Sequence, residues 1–130
     1  MKLVVISVGK DRGPTLELAD EYAKRLQRFA EVEVVEQKSL DLSRARGELW
    51  MLDRLGQQVS SEELSARVGR TAQISLCIGP DEGFTDAHRK RARFLWSLGK
   101  GTLPHRLARV VALEQVYRAF EILRGGPYHK

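Results

Sequence analysis

The segment Gln73-Ile74-Ser75-Leu76-Cys77-Ile78, followed by Gly79-Pro80-Asp81-Glu82-Gly83, decides the fold class of this chain. A short apolar run that ends in a glycine- and proline-containing turn predicts a strand buried on both faces of a sheet. The residues beyond the turn, from Asp86 to about Ala92, are rich in lysine and arginine and predict a helix. A buried strand that leads into a helix is the repeating unit of a parallel α/β sheet.

The same alternation continues in both directions along the chain. Short apolar runs predict strands, and apolar residues spaced three and four positions apart predict helices. Strands are expected at Leu3–Val8, Val32–Val35, Leu49–Leu52 and Phe94–Leu98, and helices at Thr15–Ala30, Ser60–Arg70 and Pro104–Arg124. Ser60 and Glu63 have the spacing of a capping box. We therefore predict one α/β domain over residues 1–130, with a mostly parallel sheet and helices on both faces.

One connection is short for this topology. Only Gln37 to Glu48 separates the second and third strands, close to the dozen or so residues that a parallel crossover requires. Two arrangements stay open: the connection holds a single helical turn, or the third strand runs in another direction.

Positive charge is concentrated toward the C-terminus of a chain whose net charge is +5. No acidic residue occurs from Ala87 to Leu113. The basic residues of this segment are Arg89, Lys90, Arg91, Arg93, Lys100, Arg106 and Arg109. A one-sided positive field suits a polyanion such as the backbone of RNA or DNA. The alternatives are a solvated basic face without a partner, or one that binds an acidic protein.

Other features limit the protein's location and chemistry. Cys77 is the single cysteine and has no disulfide partner in the sequence, which fits a reducing, cytoplasmic location. No stretch approaches the ~20 apolar residues of a membrane span, and the apolar run from Leu3 is too short for a signal peptide. His88 and His105 have no cysteine or carboxylate at ligand spacing. We expect no membrane and no metal partner.

The last predicted helix is apolar around most of its circumference. Its apolar residues are Leu107, Val110, Val111, Leu113, Val116, Tyr117, Phe120, Ile122 and Leu123. The exception is a narrow polar stripe of Glu114, Arg118 and Glu121. One face of such a helix can pack on the sheet, while the other needs a partner. This pattern predicts a homodimer interface.

Three glycine-containing segments are candidate ligand sites. The loops after Ile78 and after Leu98 follow strands, where ligands bind in parallel sheets and where glycine lets the backbone approach a ligand. The alternative for both is an ordinary tight turn. The tail Gly125–Lys130 is either frayed or docked. Fingerprints of dinucleotide and P-loop sites are missing from the sequence.

Four motifs occur in a fixed order and spacing along the chain. They are Ile78-Gly79-x-x-Glu82-Gly83, Trp96-Ser97-Leu98 with Thr102-Leu103-Pro104-His105, Glu114-x-x-Tyr117-Arg118-Ala119, and Pro127-Tyr128-His129. Together they resemble the ribosomal large-subunit pseudouridine N3-methyltransferase family (RlmH type), a minimal kind of SPOUT methyltransferase. The resemblance spans nearly the whole chain. It implies a C-terminal trefoil knot, one of the rare exceptions to unknotted topology, and an obligate dimer whose cofactor lies among the knot loops beside the partner chain.

The resemblance also implies an activity and a site. The activity is methylation of N3 of a pseudouridine in 23S ribosomal RNA of the assembled ribosome, with S-adenosylmethionine (S-adenosyl-L-methionine) as donor. By position, the cofactor pocket is formed by Leu52, Gly79, Leu98, Gly99, Lys100, Gly101, Thr102 and Leu103. The residues that face the RNA base are Glu114, Arg118, Tyr128 and His129.

Each residue of the second set has two interpretations. His129 is the candidate general base for the N3 proton, or a simple contact to RNA. Arg118 holds the base anion or a phosphate, or only pairs with Glu114 on the helix surface. Tyr128 stacks on the base, or anchors the tail.

The chain departs from the family pattern in two places. It is shorter than the usual member, and the loss falls within Gln37 to Glu48, where a basic helical segment is common; this weakens the expectation of RNA affinity. Lys130 stands where arginine is common, and lysine lacks bidentate phosphate geometry. Alternative functions are another SPOUT RNA methyltransferase (ribose 2′-O or tRNA base) and a non-catalytic rRNA-binding module. The Tyr128-His129 end favours the pseudouridine enzyme.

Overall fold

Residues 1–129 are described here, in a computed structural model. Five strands alternate with four helices and one short 3-10 turn over this range. They are β1 (Lys2–Val8), α1 (Pro14–Leu26), β2 (Glu31–Gln37), the 3-10 turn (Leu42–Arg44), β3 (Glu48–Gln58), α2 (Ser61–Gly69), β4 (Gln73–Ile78), α3 (Asp86–Arg91), β5 (Phe94–Ser97) and α4 (His105–Leu123).

The strands form one five-stranded sheet in the order β2-β1-β4-β3-β5. Every strand pair is parallel, which confirms the predicted α/β class and shows that β3 does not run in another direction. The short connection before β3 holds the single turn Leu42–Arg44. It is fixed to the sheet by Ser75 of β4, whose hydroxyl accepts from the backbone N–H of Arg46 and donates to its carbonyl, both at 2.7 Å. The predicted trefoil knot stays a prediction.

The two faces of the sheet are covered unequally. Alternate residues of β1 point to opposite sides, as the period of a strand requires: Leu3 and Val5 to one core, Val4 and Ile6 to the other. The long helices α1, α2 and α4 all pack on the first face. The second face is covered by the 3-10 turn, by Phe84 and by Ala92 after α3.

The apolar side of α4 is buried within the chain itself. Val116 is 1% exposed and lies in the core shared with α1 and α2. Glu121, expected on the polar stripe, is also buried, and its carboxylate accepts hydrogen bonds from Tyr117 Oη and Arg124 Nε, both at 2.9 Å. The face of α4 that was expected to pack within the chain is thus wider than one side of the helix, and the predicted homodimer interface stays a prediction. The apolar residues that stay exposed at this helix are Leu107 and Leu123.

Several element boundaries differ from the prediction. The first helix ends at Leu26 instead of Ala30, because residues 27–29 form tighter turns with backbone bonds to carbonyls three residues back. The third strand continues to Gln58, beyond an irregularity in its pairing with β5 between Leu52 and Gln57. Pro104 precedes the last helix as its N-cap. The capping box of Ser60 and Glu63 is confirmed.

Candidate functional site

A cavity of about 440 Å³ opens at the carboxyl ends of β4 and β5, beside the irregularity in β3. This volume falls within the range of small-molecule sites, about 300–1,000 Å³. Three segments converge on it: the irregular part of β3 that follows Leu52, the loop that follows Ile78 and the loop that follows Ser97. The carboxyl edge of a parallel sheet is where ligands bind in folds of this class.

Nearly all of the predicted cofactor residues line this cavity. They are Leu52, Gly79, Leu98, Gly99, Gly101, Thr102 and Leu103. Lys100 does not line the cavity, and it is exposed. The structure thus brings together segments far apart in sequence, as the resemblance implied, and their role in binding a cofactor stays a prediction.

The glycines of the cavity serve different purposes. A Cβ atom on Gly79 would lie 2.6 Å from the ring of Phe84, so this glycine is needed for packing as well as for any approach of a ligand. A Cβ atom on Gly101 would meet nothing within 4 Å. Gly99 has a φ of 152°, which side chains rarely adopt. The loop after β5 is therefore open toward the cavity.

Asp53 and Arg89 also line the cavity, and the sequence did not single them out for it. The buried Asp53 carboxylate accepts hydrogen bonds from the backbone N–H of Leu55 and from Arg89 Nε, both at 2.8 Å. The pKa of Arg89 is raised because its guanidinium is hydrogen-bonded to Asp53 and Asp86. Arg89, one of the basic residues between Ala87 and Leu113, is therefore paired with two carboxylates. The sequence signal that could have marked Asp53 as a cavity residue is its position as a charged residue directly after an apolar strand segment.

The predicted acceptor residues form a second cluster, on α4 and the tail. The carboxylate of Glu114 accepts from Arg118 Nη2 at 2.8 Å and from the Tyr128 hydroxyl at 2.7 Å. Arg118 Nη1 lies 3.0 Å from Nδ1 of His129. All four residues therefore belong to one hydrogen-bonded network.

The network fixes the charges of its members. Burial acts to raise the pKa of Glu114, but the hydrogen bonds from Arg118 and Tyr128 outweigh it, and the net pKa is lowered. The pKa of Tyr128 is raised by burial and by its bond to the Glu114 carboxylate. The pKa of Arg118 is raised by the same carboxylate. At neutral pH the cluster holds an ionised carboxylate, a guanidinium cation and a neutral phenol.

The tail is docked against α4. The Tyr128 ring meets the Tyr117 ring edge-on, with 4.9 Å between centroids, and the Arg118 guanidinium carbon lies 4.9 Å from its centre. The backbone N–H of Gly126 donates to the carbonyl of Glu121 at 3.0 Å. Of the two interpretations of the tail, the docked one is confirmed for the residues described. Lys130 lies outside them.

One residue of the cluster was not predicted. Glu62, in the first turn of α2, lies with its Oε1 atom 2.7 Å from Nε2 of His129. In the sequence it is an ordinary acidic residue of a capped helix start, and nothing marks its distant partner. Within residues 1–129, no group of three or more metal-ligating side chains is present, and none of the helices could cross a membrane.

Comparisons with known proteins agree with this architecture. The family described as "Predicted SPOUT methyltransferase" matches residues 1–129. A solved structure of a "probable methylase family protein" from Haemophilus influenzae covers 98% of this chain, with 70% of that chain matched, a TM-score of 0.66 and 9% identity. At that identity the likeness concerns the fold alone.

Curated relatives match over the full length. Proteins named "Ribosomal RNA large subunit methyltransferase H" from Deinococcus radiodurans and Clostridium novyi are 39% and 36% identical, and the alignments cover 100% of this chain and 99% and 100% of theirs. The alignments extend over 148 and 159 residues, so both relatives have residues that this chain of 130 lacks. The place of the missing residues, within Gln37 to Glu48, stays a prediction. By the family match over residues 1–129 and by these relatives, the chain belongs to the SPOUT methyltransferase family.

Proposed function

We propose that this protein is a single-domain, S-adenosylmethionine-dependent methyltransferase that acts on N3 of a pseudouridine in the 23S ribosomal RNA of the large subunit. The observation that carries the proposal is the assembly of Glu114, Arg118, Tyr128 and His129 into one network in a chain whose full-length relatives are named as large-subunit methyltransferases. The proposed substrate also implies work in the cytoplasm, on the assembled ribosome.

The cavity fits the proposed cofactor in size and chemistry. Leu52, Leu98 and Leu103 offer apolar walls for a flat base, and the open loop at Gly101 offers backbone groups to its polar edges. When bound there, S-adenosylmethionine supplies a methyl group on a sulfonium. The role of these residues is to bind the cofactor, orient it and exclude water.

The second cluster has the groups that the acceptor requires. N3 of a uracil-type ring carries a proton that must leave as the methyl group arrives, and carbonyl groups flank it on both sides. His129 offers an imidazole nitrogen for the proton. Arg118, held by Glu114, offers a guanidinium that stabilises negative charge developing on a neighbouring carbonyl. Tyr128 keeps the tail in place and closes the network.

The two halves of the site are separated within one chain. Ala108 of α4 lines the cavity, whereas none of the four acceptor residues does. Glu114 lies six residues after Ala108, or about 9 Å along the helix axis, and Arg118 lies ten residues after it, or about 15 Å. A methyl group moves only between atoms in contact. We infer a homodimer in which the cavity of one chain meets the acceptor cluster of the other. Leu103, which lines the cavity, and Leu107, which precedes Ala108 on α4, are both exposed and offer apolar surface for it.

The test is methyl transfer to ribosomes from cells that lack the gene for this protein. Purified protein and S-adenosylmethionine should place one methyl group on 23S rRNA, located by mass mapping, and His129→Ala should abolish or strongly reduce it. An N3 product leaves the RNA open to alkaline hydrolysis at that residue, whereas a ribose 2′-O product blocks it. A protein that fails to bind S-adenosylhomocysteine in calorimetry would instead be a non-catalytic rRNA-binding module.

A further inference from the structure

His129 has a hydrogen-bond partner on each of its two ring nitrogens. Nδ1 lies 3.0 Å from Nη1 of Arg118, and Nε2 lies 2.7 Å from Oε1 of Glu62. A guanidinium only donates, and an ionised carboxylate only accepts. The neutral imidazole with its proton on Nε2 satisfies both contacts, because Nδ1 then accepts and Nε2 donates. The other neutral tautomer would satisfy neither.

Glu62 is well placed to determine this tautomer. It follows the N-cap Ser60 in the first turn of α2, whose backbone is fixed by the capping box with Glu63. Its pKa is lowered, first by a hydrogen bond from its own backbone N–H and then by His129, so the carboxylate is ionised at neutral pH. Its contact with His129 joins residues 67 positions apart, so the helix start and the tail are brought together by the fold.

The remaining charged groups at His129 come from α4 and the tail. Arg118 donates to Nδ1, Glu114 holds Arg118 from its other side, and the Tyr128 hydroxyl donates to Glu114. Arg118 thus keeps its charge and its orientation when a substrate displaces it from Nδ1. Glu62 is the only one of these groups that contacts Nε2 within the described residues.

We propose that Glu62 is a positioning residue that holds His129 in the Nε2–H tautomer, so that Nδ1 of His129 and Nη1 of Arg118 recognise the edge of a uracil-type ring. The pair offers an acceptor and a donor side by side. This pattern is complementary to an N3–H group beside a carbonyl oxygen, and it does not match a cytosine-type edge, where N3 is bare and the neighbour is an amino group. The proposal rests on the proposed function, because it names how that site selects its base.

The step assigned to His129 is a proton transfer. The proton on N3 of the ring passes to Nδ1, which gives an imidazolium, while the carboxylate of Glu62 stabilises the positive charge through the Nε2–H bond. The electron pair left on N3 forms the new bond to the methyl carbon. The bond from that carbon to sulfur breaks at the same time, and its electron pair stays on the sulfur of the leaving S-adenosylhomocysteine. Glu62 touches neither the base nor the methyl donor, so it acts only through His129.

Two variants and a matched control test the proposal. Glu62→Ala removes the acceptor for Nε2–H, and Glu62→Gln retains an amide oxygen that can accept the same bond. Glu17→Ala, the control, removes a carboxylate from the first turn of another helix, α1, away from His129 and from the capping box that positions Glu62. Nitrogen-15 NMR of the imidazole reports the tautomer when it is recorded well above pH 6.5, about the ordinary pKa of a histidine side chain. His129→Ala assigns the signal among the three histidines.

We expect the unaltered protein to show a bare Nδ1 and a protonated Nε2. Glu62→Ala should mix the tautomers and lower kcat at saturating ribosomes about 10-fold or more, with a smaller change in KM. Glu62→Gln should retain the tautomer and most of the rate, and Glu17→Ala should leave both unchanged. Unchanged NMR signals and kcat in Glu62→Ala would overturn the proposal. If the unaltered protein methylates no rRNA, the proposed function fails, while the NMR comparison still decides whether Glu62 sets the tautomer.

Discussion

The hydroxyl of Tyr128 donates a hydrogen bond of 2.7 Å to Glu114, a residue 14 positions earlier on α4. This bond closes the network that holds the C-terminal tail on the last helix, because the same carboxylate also accepts from Arg118. A tail that follows Gly125 and Gly126 would otherwise have little to order it. The position of His129 therefore depends on a bond made by its neighbour.

Replacing Tyr128 with phenylalanine should isolate the contribution of this bond. The ring contacts with Tyr117 and Arg118 are retained, and only the hydroxyl is lost. The free energy of unfolding should fall by about 1 kcal/mol, the usual net value of one hydrogen bond. Methyl transfer should fall more than stability does, because His129 loses its fixed position. Urea denaturation and a transfer assay measure the two effects, and unaltered values in both would show that the bond does not order the tail.

The ionisation of Glu114 should make tail docking sensitive to acid. Its pKa is lowered in the folded protein, so its contribution to stability is fully present above the unfolded value of about 4.3 and is lost as pH falls through the lower folded value. Unfolding free energies of the unaltered protein and of Glu114→Gln should differ at neutral pH and converge at acidic pH. Urea denaturation of the two proteins across this pH range checks the direction of the pH dependence. A difference in unfolding free energy that grows toward low pH would contradict the prediction.

Two glycines of the cavity should respond differently to added side chains. Gly101→Val should fold normally, because open space surrounds that position, and should weaken binding of S-adenosylhomocysteine. Gly79→Val should lose stability instead, since its side chain would collide with Phe84. Thermal unfolding and calorimetry separate these effects. Full affinity in Gly101→Val would mean that the loop is only a turn.

The parts of the molecule that could be predicted from sequence are those where local pattern and burial agree. The buried strand Gln73–Ile78 and the capping box at Ser60 follow from apolar content and from polar side chains at fixed spacing. The polar end of β3 could not be predicted in this way, because its place at the sheet depends on pairing with β5. A pattern on one segment contains no information about its partner across the sheet.

The candidate site likewise contains residues that could be predicted from sequence and one contact that could not. The predicted site residues could be assigned to two groups from the resemblance, and the structure brings each group together, with Lys100 as the exception. The contact of Glu62 with His129 could not be foreseen, because it joins two exposed segments through the tertiary fold. The same limit applies to Val116: the apolar pattern of α4 does not show whether a residue is covered by its own chain or by a partner, and the structure places Val116 in the core of its own chain.

A charge introduced at Leu107 should disrupt the proposed dimer, whereas a charge introduced at Val34 should not. Leu107→Asp introduces a charge at an exposed apolar position of α4, next to Ala108, and should give a folded monomer. Val34→Asp, on the exposed side of the edge strand β2, is the control and should stay dimeric. Val116→Asp should unfold the protein, because it buries a charge in the core. Sedimentation with circular dichroism measures all three, and an active monomer of Leu107→Asp would contradict the composite site.

Mixing two inactive variants should restore activity if each site is built from two chains. Gly101→Val damages the cavity, and His129→Ala damages the acceptor cluster, so either homodimer has two defective sites. A mixed dimer has one site with both defects and one with neither, because the intact cavity of one chain then meets the intact tail of the other. Random pairing of equal amounts makes half of the dimers mixed, which gives about a quarter of the unaltered activity. Co-expression with two different affinity tags yields the mixed dimer for a direct assay of methyl transfer to ribosomes. A site contained within one chain predicts no recovery at any ratio, since every chain in the mixture has one defect.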